Sequence, residues 1–210
     1  KLGLELAKRK MGCISGAGKT GIMGSVVKGS SENGGWCGGS NVPHIIKMEG
    51  LPDGLSEFWP RSDIYTRMEV MIDKSDGFII MPGGMGTIQE LMALLLLKNQ
   101  GNDLMRDKKI VVYNKTDEET GLKFWDPLFN LIKSEDADFM DDFSIVDNFS
   151  EILYLVPTQL FGGQASGEIF KVIREPNLRS LKLSIVFSFS CKSSFLISTW
   201  EWLKLTQLEV

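Results

Sequence analysis

The sequence predicts an α/β domain built on a parallel sheet, and three observations predict it. Short apolar runs alternate with segments of helical period. Two glycine-rich loops each follow an apolar run and open a helix. A hydrophobic fraction of 43% in 210 residues supplies one core.

In chain order, Leu2 to Lys10 has the pattern of a helix and Met11 to Ser15 that of a short strand. Gly16-Ala17-Gly18-Lys19-Thr20-Gly21 is a loop, and Ile22 to Lys28 opens the next helix. Ser30 to Asn41, rich in Gly, Ser and Asn, reads as a loop. Pro43 to Met48 reads as a strand and Glu49 to Arg61 as an irregular connection. Asp63 to Lys74 carries Ile64, Met68, Met71 and Ile72 as a helical stripe. Gly77 to Met81 is a buried strand, followed by a glycine loop and a helix from about Thr87 to Lys98. Lys108 to Tyr113 is a further strand and Trp125 to Lys133 a further helix, and Ser150 reads as the N-cap of a short helix from Glu151 to Val156. Beyond Pro157 the periodicity fails, so residues 1–157 form the predicted nucleotide-binding domain and 158–210 a C-terminal tail of unknown structure.

Composition narrows the function. A net charge of -4 exerts no long-range pull on a polyanion, which argues against nucleic acid as a partner. Cys13, Cys37 and Cys191 are widely spaced and odd in number, giving neither a metal template nor a disulfide framework. They read as thiols of a reducing, cytoplasmic compartment. His44 is the only histidine, so a Ser-His-Asp triad or a histidine metal site would have to run through it; within its expected strand it reads as structural. No signal or transit peptide starts the chain, which opens at Lys1 inside a helix. The apolar stretch 181–200 contains Lys192 and many serines and falls short of the ~20 apolar residues of a membrane span.

The segment richest in chemistry is Pro82-Gly83-Gly84-Met85-Gly86-Thr87-Ile88-Gln89-Glu90, set between a buried strand and a helix. In open α/β sheets ligands bind at the carboxyl ends of the strands. Glycines let the backbone approach a ligand, and the unpaired amides of the following helix suit a phosphate. The loop Gly16 to Gly21 repeats this arrangement. Its Gly18-Lys19-Thr20 resembles a P-loop, but that motif needs a glycine where Cys13 stands, which excludes an NTPase of that type. Two such loops fit a mononucleotide lying across the sheet edge.

Pro-Gly-Gly-x-Gly-Thr-x-x-Glu is similar to the signature of the LONELY GUY family, labelled lysine-decarboxylase-like in older descriptions. That family's Gly-rich turn corresponds to Gly16 to Gly24, and its Arg-Lys helix to Arg67-Met68; the match runs from about Leu2 to Val156. The resemblance implies a Rossmann-like parallel sheet flanked by helices, with the family's N-terminal strand missing. It also implies a homodimer without a cofactor or metal. The implied activity is hydrolysis of a cytokinin riboside 5′-monophosphate, or a related purine nucleotide, to free base and ribose 5-phosphate. Arg67 and Glu90 would be catalytic; Gly16, Gly18, Met68, Gly83, Gly84, Met85, Gly86 and Thr87 would bind substrate. A carboxylate near C1′ stabilises the positive charge that builds as an N-glycosidic bond breaks, and an arginine holds phosphate or ribose by its fork of donors.

Simpler roles stand beside these. Thr87-x-x-Glu90 is a capping box pattern. Asp63 and Arg67 form an i, i+4 pair. Met68, Met71 and Met81 fit core positions. Leu91 to Leu97, apolar nearly all round, is buried either within one chain or against a partner. A lysine decarboxylase would need a pyridoxal phosphate lysine, and only Lys19 sits in a glycine loop. The rival from another class is a non-catalytic carrier of a phosphorylated cofactor or nucleotide, such as a molybdenum cofactor carrier.

Overall fold

The computed structural model describes residues 1–135, 137–152, 155 and the backbone of 182–186. Helix α1 (Leu2–Lys8) leads to β1 (Gly12–Ser15), α2 (Gly21–Ser31), β2 (Cys37–Asn41), α3 (Pro43–Glu49), β3 (Glu57–Pro60), α4 (Ile64–Lys74), β4 (Gly77–Ile80), α5 (Met85–Asn99), β5 (Lys109–Tyr113), α6 (Asp126–Glu135), a 3-10 turn (Ala137–Asp142), β6 (Ser144–Val146) and β7 (Lys182–Val186). The strands form one sheet in the order β3-β2-β1-β7-β4-β5-β6, and every pairing is parallel. Two three-stranded sets, β3-β2-β1 and β4-β5-β6, are thus joined through β7, which pairs with Cys13 on one side and with Gly77 on the other through Leu183.

Helices cover both faces, so the strands are apolar on both sides rather than alternating. Ile79 and Val111 face a core shared with Leu6 of α1 and Val27 of α2. Their neighbours Phe78, Ile80, Ile110 and Val112 face the opposite core, with Leu91 and Leu94 of α5 and Phe129 of α6. A third cluster places Ile14 of β1 against Met71 of α4 and Trp59 of β3.

Three expected elements are different in the structure. Pro43 to Met48 is helical, not a strand: Val42 is the extended cap and Pro43 occupies the first turn, where its missing N–H costs nothing. His44 therefore sits on an exposed helix start. Within the expected loop Ser30 to Asn41, Cys37–Asn41 is a fully buried strand. Glycine disfavours strands in general, but a Cβ on Gly38 would press on the rings of Trp36 and Trp59, which fill the space its absence leaves. The expected irregular connection contains edge strand β3, which ends at Pro60, a position where proline disturbs no ladder. At the domain's end the side chain of Asn148, not Ser150, accepts from the Ser150 N–H, and helical residues begin at 149.

The tail contributes one described element, β7. The remainder of 158–210, with Cys191 and Trp200, lies outside the described residues. No helix among the described residues is long and apolar enough to cross a membrane.

Candidate active site

After β1 the chain moves outward to β2 and β3, then returns through α4 to β4 on the other side of β7. That reversal creates a crevice at the carboxyl ends of β1 and β4, and both glycine loops open onto it.

The loop after β1 turns sharply. Ala17 holds a left-handed φ of 54°, and its N–H donates to Ser15 Oγ at 3.2 Å. A Cβ on Gly16 would collide with Arg67 Nη2, so glycine alone lets the guanidinium lie against the turn. The loop after β4 runs directly into α5. Its cap is Gly84 and its first residues are Met85, Gly86 and Thr87; the N–H groups of Met85 and Gly86 have no earlier turn of α5 to donate to.

Arg67 comes from the first turn of α4. Asp63 caps that helix, accepting from Tyr65 and Thr66 N–H at 2.9 and 3.0 Å. The Thr66 N–H, with the Ser62 and Thr66 hydroxyls, holds its carboxyl down at about 2. The i, i+4 pairing of Asp63 with Arg67 does not form. Arg67 instead turns inward, 8% exposed, donates from Nε to the Ser40 carbonyl at 3.0 Å, and places Nη2 2.8 Å from Glu90 Oε1.

Glu90 lies on the second turn of α5 and is 1% exposed. The capping box is also absent: with Gly84 as cap, Thr87 is already inside the helix and Glu90 reaches across to Arg67. The contact is close but off the line of the guanidinium N–H, and Oε2 has no hydrogen-bond partner among the described residues. Burial pushes the Glu90 carboxyl above its ordinary range, and Arg67 opposes that only in part.

A cleft of about 340 Å³ lies over this pair. Gly16, Arg67, Met85 and Gly86 line it, as the sequence suggested; so do Asn41, Ile45, Glu49 and Gln89, which it did not single out. Glu49, at the end of α3, is a half-buried carboxylate that burial also shifts upward, again opposed by Arg67. Its signal was hidden because Pro43 to Met48 reads as a strand and removes Glu49 from the crevice. Met68 is packed into the core with Ile72 and Leu91 rather than against the cleft. Gly83 and Thr87 pack on each other beneath the loop. Gly18 backs onto Met23 and Glu49. Glu90 is not among the residues that line the cleft, whereas its partner Arg67 is. Among the described residues no group of three or more His, Cys, Asp or Glu is placed to hold a metal ion.

Comparison with known proteins gives a consistent picture. The model of a family described as possible lysine decarboxylase matches residues 23–150. A cytokinin riboside 5′-monophosphate phosphoribohydrolase of Mycobacterium marinum is 28% identical over 157 residues, 72% of this chain and 80% of that protein. One of Mycobacterium tuberculosis is 30% identical over 60% of this chain and 65% of its own length. A probable member from Arabidopsis thaliana is 31% identical over 54% and 55%.

Proposed function

The chain belongs to the LONELY GUY family, and from that premise we propose that it hydrolyses the N-glycosidic bond of a nucleoside 5′-monophosphate to free base and ribose 5-phosphate. The observation that carries the reading is the buried Arg67–Glu90 pair, held beside a glycine loop and a helix N-terminus at the sheet's reversal point. The amides of Met85 and Gly86 receive the 5′-phosphate. Arg67 spends Nε on Ser40 and Nη2 on Glu90, which leaves Nη1 for the substrate. As C1′ parts from the base nitrogen, the bonding electrons leave with the base and C1′ becomes cationic. Water adds there, losing a proton to the Glu90 carboxylate. The base, which left with the bonding pair, takes up one proton from solvent, and Glu90 returns its own to solvent. Water is thus divided between C1′ and the base, and the carboxylate ends as it began.

Glu90 reaches the ribose only when the guanidinium shifts. The substrate phosphate, a stronger anion in the cleft, competes for Arg67 and exposes the carboxylate. The preferred substrate is a cytokinin riboside 5′-monophosphate, as the names of the relatives suggest, and the site of action is the cytoplasm. The homodimer belongs to the same reading: Leu91, Leu94 and Leu95 are buried within the chain, while Leu96 on the same helix stays 47% exposed.

The test is base release from a panel of nucleosides and their 5′-monophosphates under identical conditions. Release from the monophosphates alone is expected; equal turnover of nucleoside and monophosphate removes the phosphate site from the argument. The carrier reading draws on one observation, that Glu90 is sealed from the cleft, and the same panel separates it: a carrier binds a monophosphate and releases no base.

A further inference from the structure

Asn41 ends β2 and is 1% exposed, yet it lines the cleft. Its Oδ1 accepts the Val42 backbone N–H at 2.8 Å, which fixes the amide's orientation, because only the oxygen serves a donor. The other arm, Nδ2, carries two hydrogens and meets no acceptor among the described residues. The backbone around it is held as well. The Asn41 carbonyl accepts from Arg61 N at 3.0 Å, and the preceding carbonyl, Ser40, holds Arg67. A buried amide with one arm anchored and the other unpaired, on a residue that lines a cleft, is a fixed donor awaiting an acceptor.

The position in the cleft says which part of a substrate meets it. Met85 and Gly86, at the α5 N-terminus, form the wall that suits a phosphate. Asn41, at the end of β2, lines the same cleft, as do Ile45 and Met23, whose apolar side chains suit the face of a ring. We propose that Asn41 is a specificity-determining residue: its Nδ2 donates to an acceptor atom of the nucleobase, so the site selects bases that offer a lone pair at that edge. This rests on the nucleotide reading given above, and it names a determinant that the reading does not require.

The experiment compares wild type with Asn41→Asp, which keeps an acceptor for Val42 and removes the donor. Binding and kcat/KM are measured for adenosine 5′-monophosphate and for its 1-, 3- and 7-deaza analogues, each lacking one ring acceptor. Ribose 5-phosphate, which has no base, is the control ligand. Asn41→Asp is expected to weaken the adenosine monophosphate by roughly 10- to 100-fold more than it weakens ribose 5-phosphate, the extra factor being the scale of a lost donor facing a lone pair and the shared loss reporting the charge that Asp adds. One deaza analogue should lose a similar factor with wild type and lose nothing further with Asn41→Asp. If Asn41→Asp does not fold, Asn41→Ala, which also lacks the donor, takes its place. Equal losses for ribose 5-phosphate and the monophosphate, or deaza responses that are the same in both proteins, overturn the proposal. Because binding is read as well as turnover, a protein that binds the monophosphate without cleaving it sinks the hydrolase reading and still decides the role of Asn41.

Discussion

The two strand sets on either side of β7 are built differently. In β4 and β5, Phe-Ile-Ile and Ile-Val-Val fill both faces of the sheet with branched and aromatic side chains. In β2, Cys-Gly-Gly-Ser-Asn supplies almost no side-chain bulk, and the volume comes from elsewhere: Trp36 and Trp59 over Gly38, and Ala17 beside Gly39. The first kind of strand carries its own core. The second is a slot that other segments fill, and in exchange it brings polar groups, the Ser40 carbonyl and the Asn41 amide, close to the crevice. The Arg67–Glu90 pair crosses between the sets: Arg67 is tied to β2, whereas Glu90 rides on the helix that follows β4. The geometry of the pair proposed as catalytic depends on how the two sets are held together.

The largest effect should come from breaking the joint. Proline at 184 removes a ladder hydrogen bond from β7, the strand shared by both sets. Ser184→Pro is expected to abolish activity and the cooperative melt. In wild type, amide exchange at 183–186 should be as slow as in β1 and β4. Rapid exchange there, with an unaffected variant, would mean that the two sets hold together without β7.

Next comes the pair that spans the joint. Glu90→Gln is expected to lower the rate by roughly 10²-fold, the usual scale for a general base, without lowering thermal stability at neutral pH. The sign follows from burial. The folded-state pKa of Glu90 lies above the ordinary 4.5, so at pH values between the two the folded protein binds the extra proton. The contribution of Glu90 to wild-type stability is therefore fully present below 4.5 and is lost as pH rises through the raised value, where Glu90 ionises in its buried site. The Gln variant lacks that loss. Melting curves from pH 4 to 8 check this, and a variant that melts lower than wild type at neutral pH would show the carboxylate to be stabilising. Activity should run the other way, with an acid limb above the ordinary carboxylate range.

The smallest effect contrasts the strand types directly. Gly38→Ala puts a methyl against two tryptophan rings and should cost about 1–3 kcal/mol by overpacking. Ile79→Val in β4 should cost about 0.5–1.5 kcal/mol, the scale of one lost methylene. Denaturant midpoints measure both. A tolerated alanine at 38 would show that β2 has slack and is not a fitted slot.

The sequence by itself determined the parallel α/β class, β1, β4, β5 and the helices around them, and the two glycine loops. In those segments local pattern and burial agree: apolar runs become strands, and glycines at strand ends become turns that open helices. Arg67 and Glu90 were legible as chemistry-bearing residues, though only by resemblance, since each also had a local role that the structure removes. Tertiary structure alone decided the rest. Cys37–Asn41 becomes a strand because distant tryptophans occupy its missing volume. Residues 43–49 are the exception: proline at a first turn after an extended Val42 is a local helix signal, which the strand-like apolar run masked. Lys182–Val186 pairs at the sheet's centre, a parallel match between segments some hundred or more residues apart in the chain. Periodicity records how one segment faces a core. It carries no information on which other segment supplies the neighbouring atoms, and Asn41, Glu49 and the Arg67–Glu90 contact all depend on that.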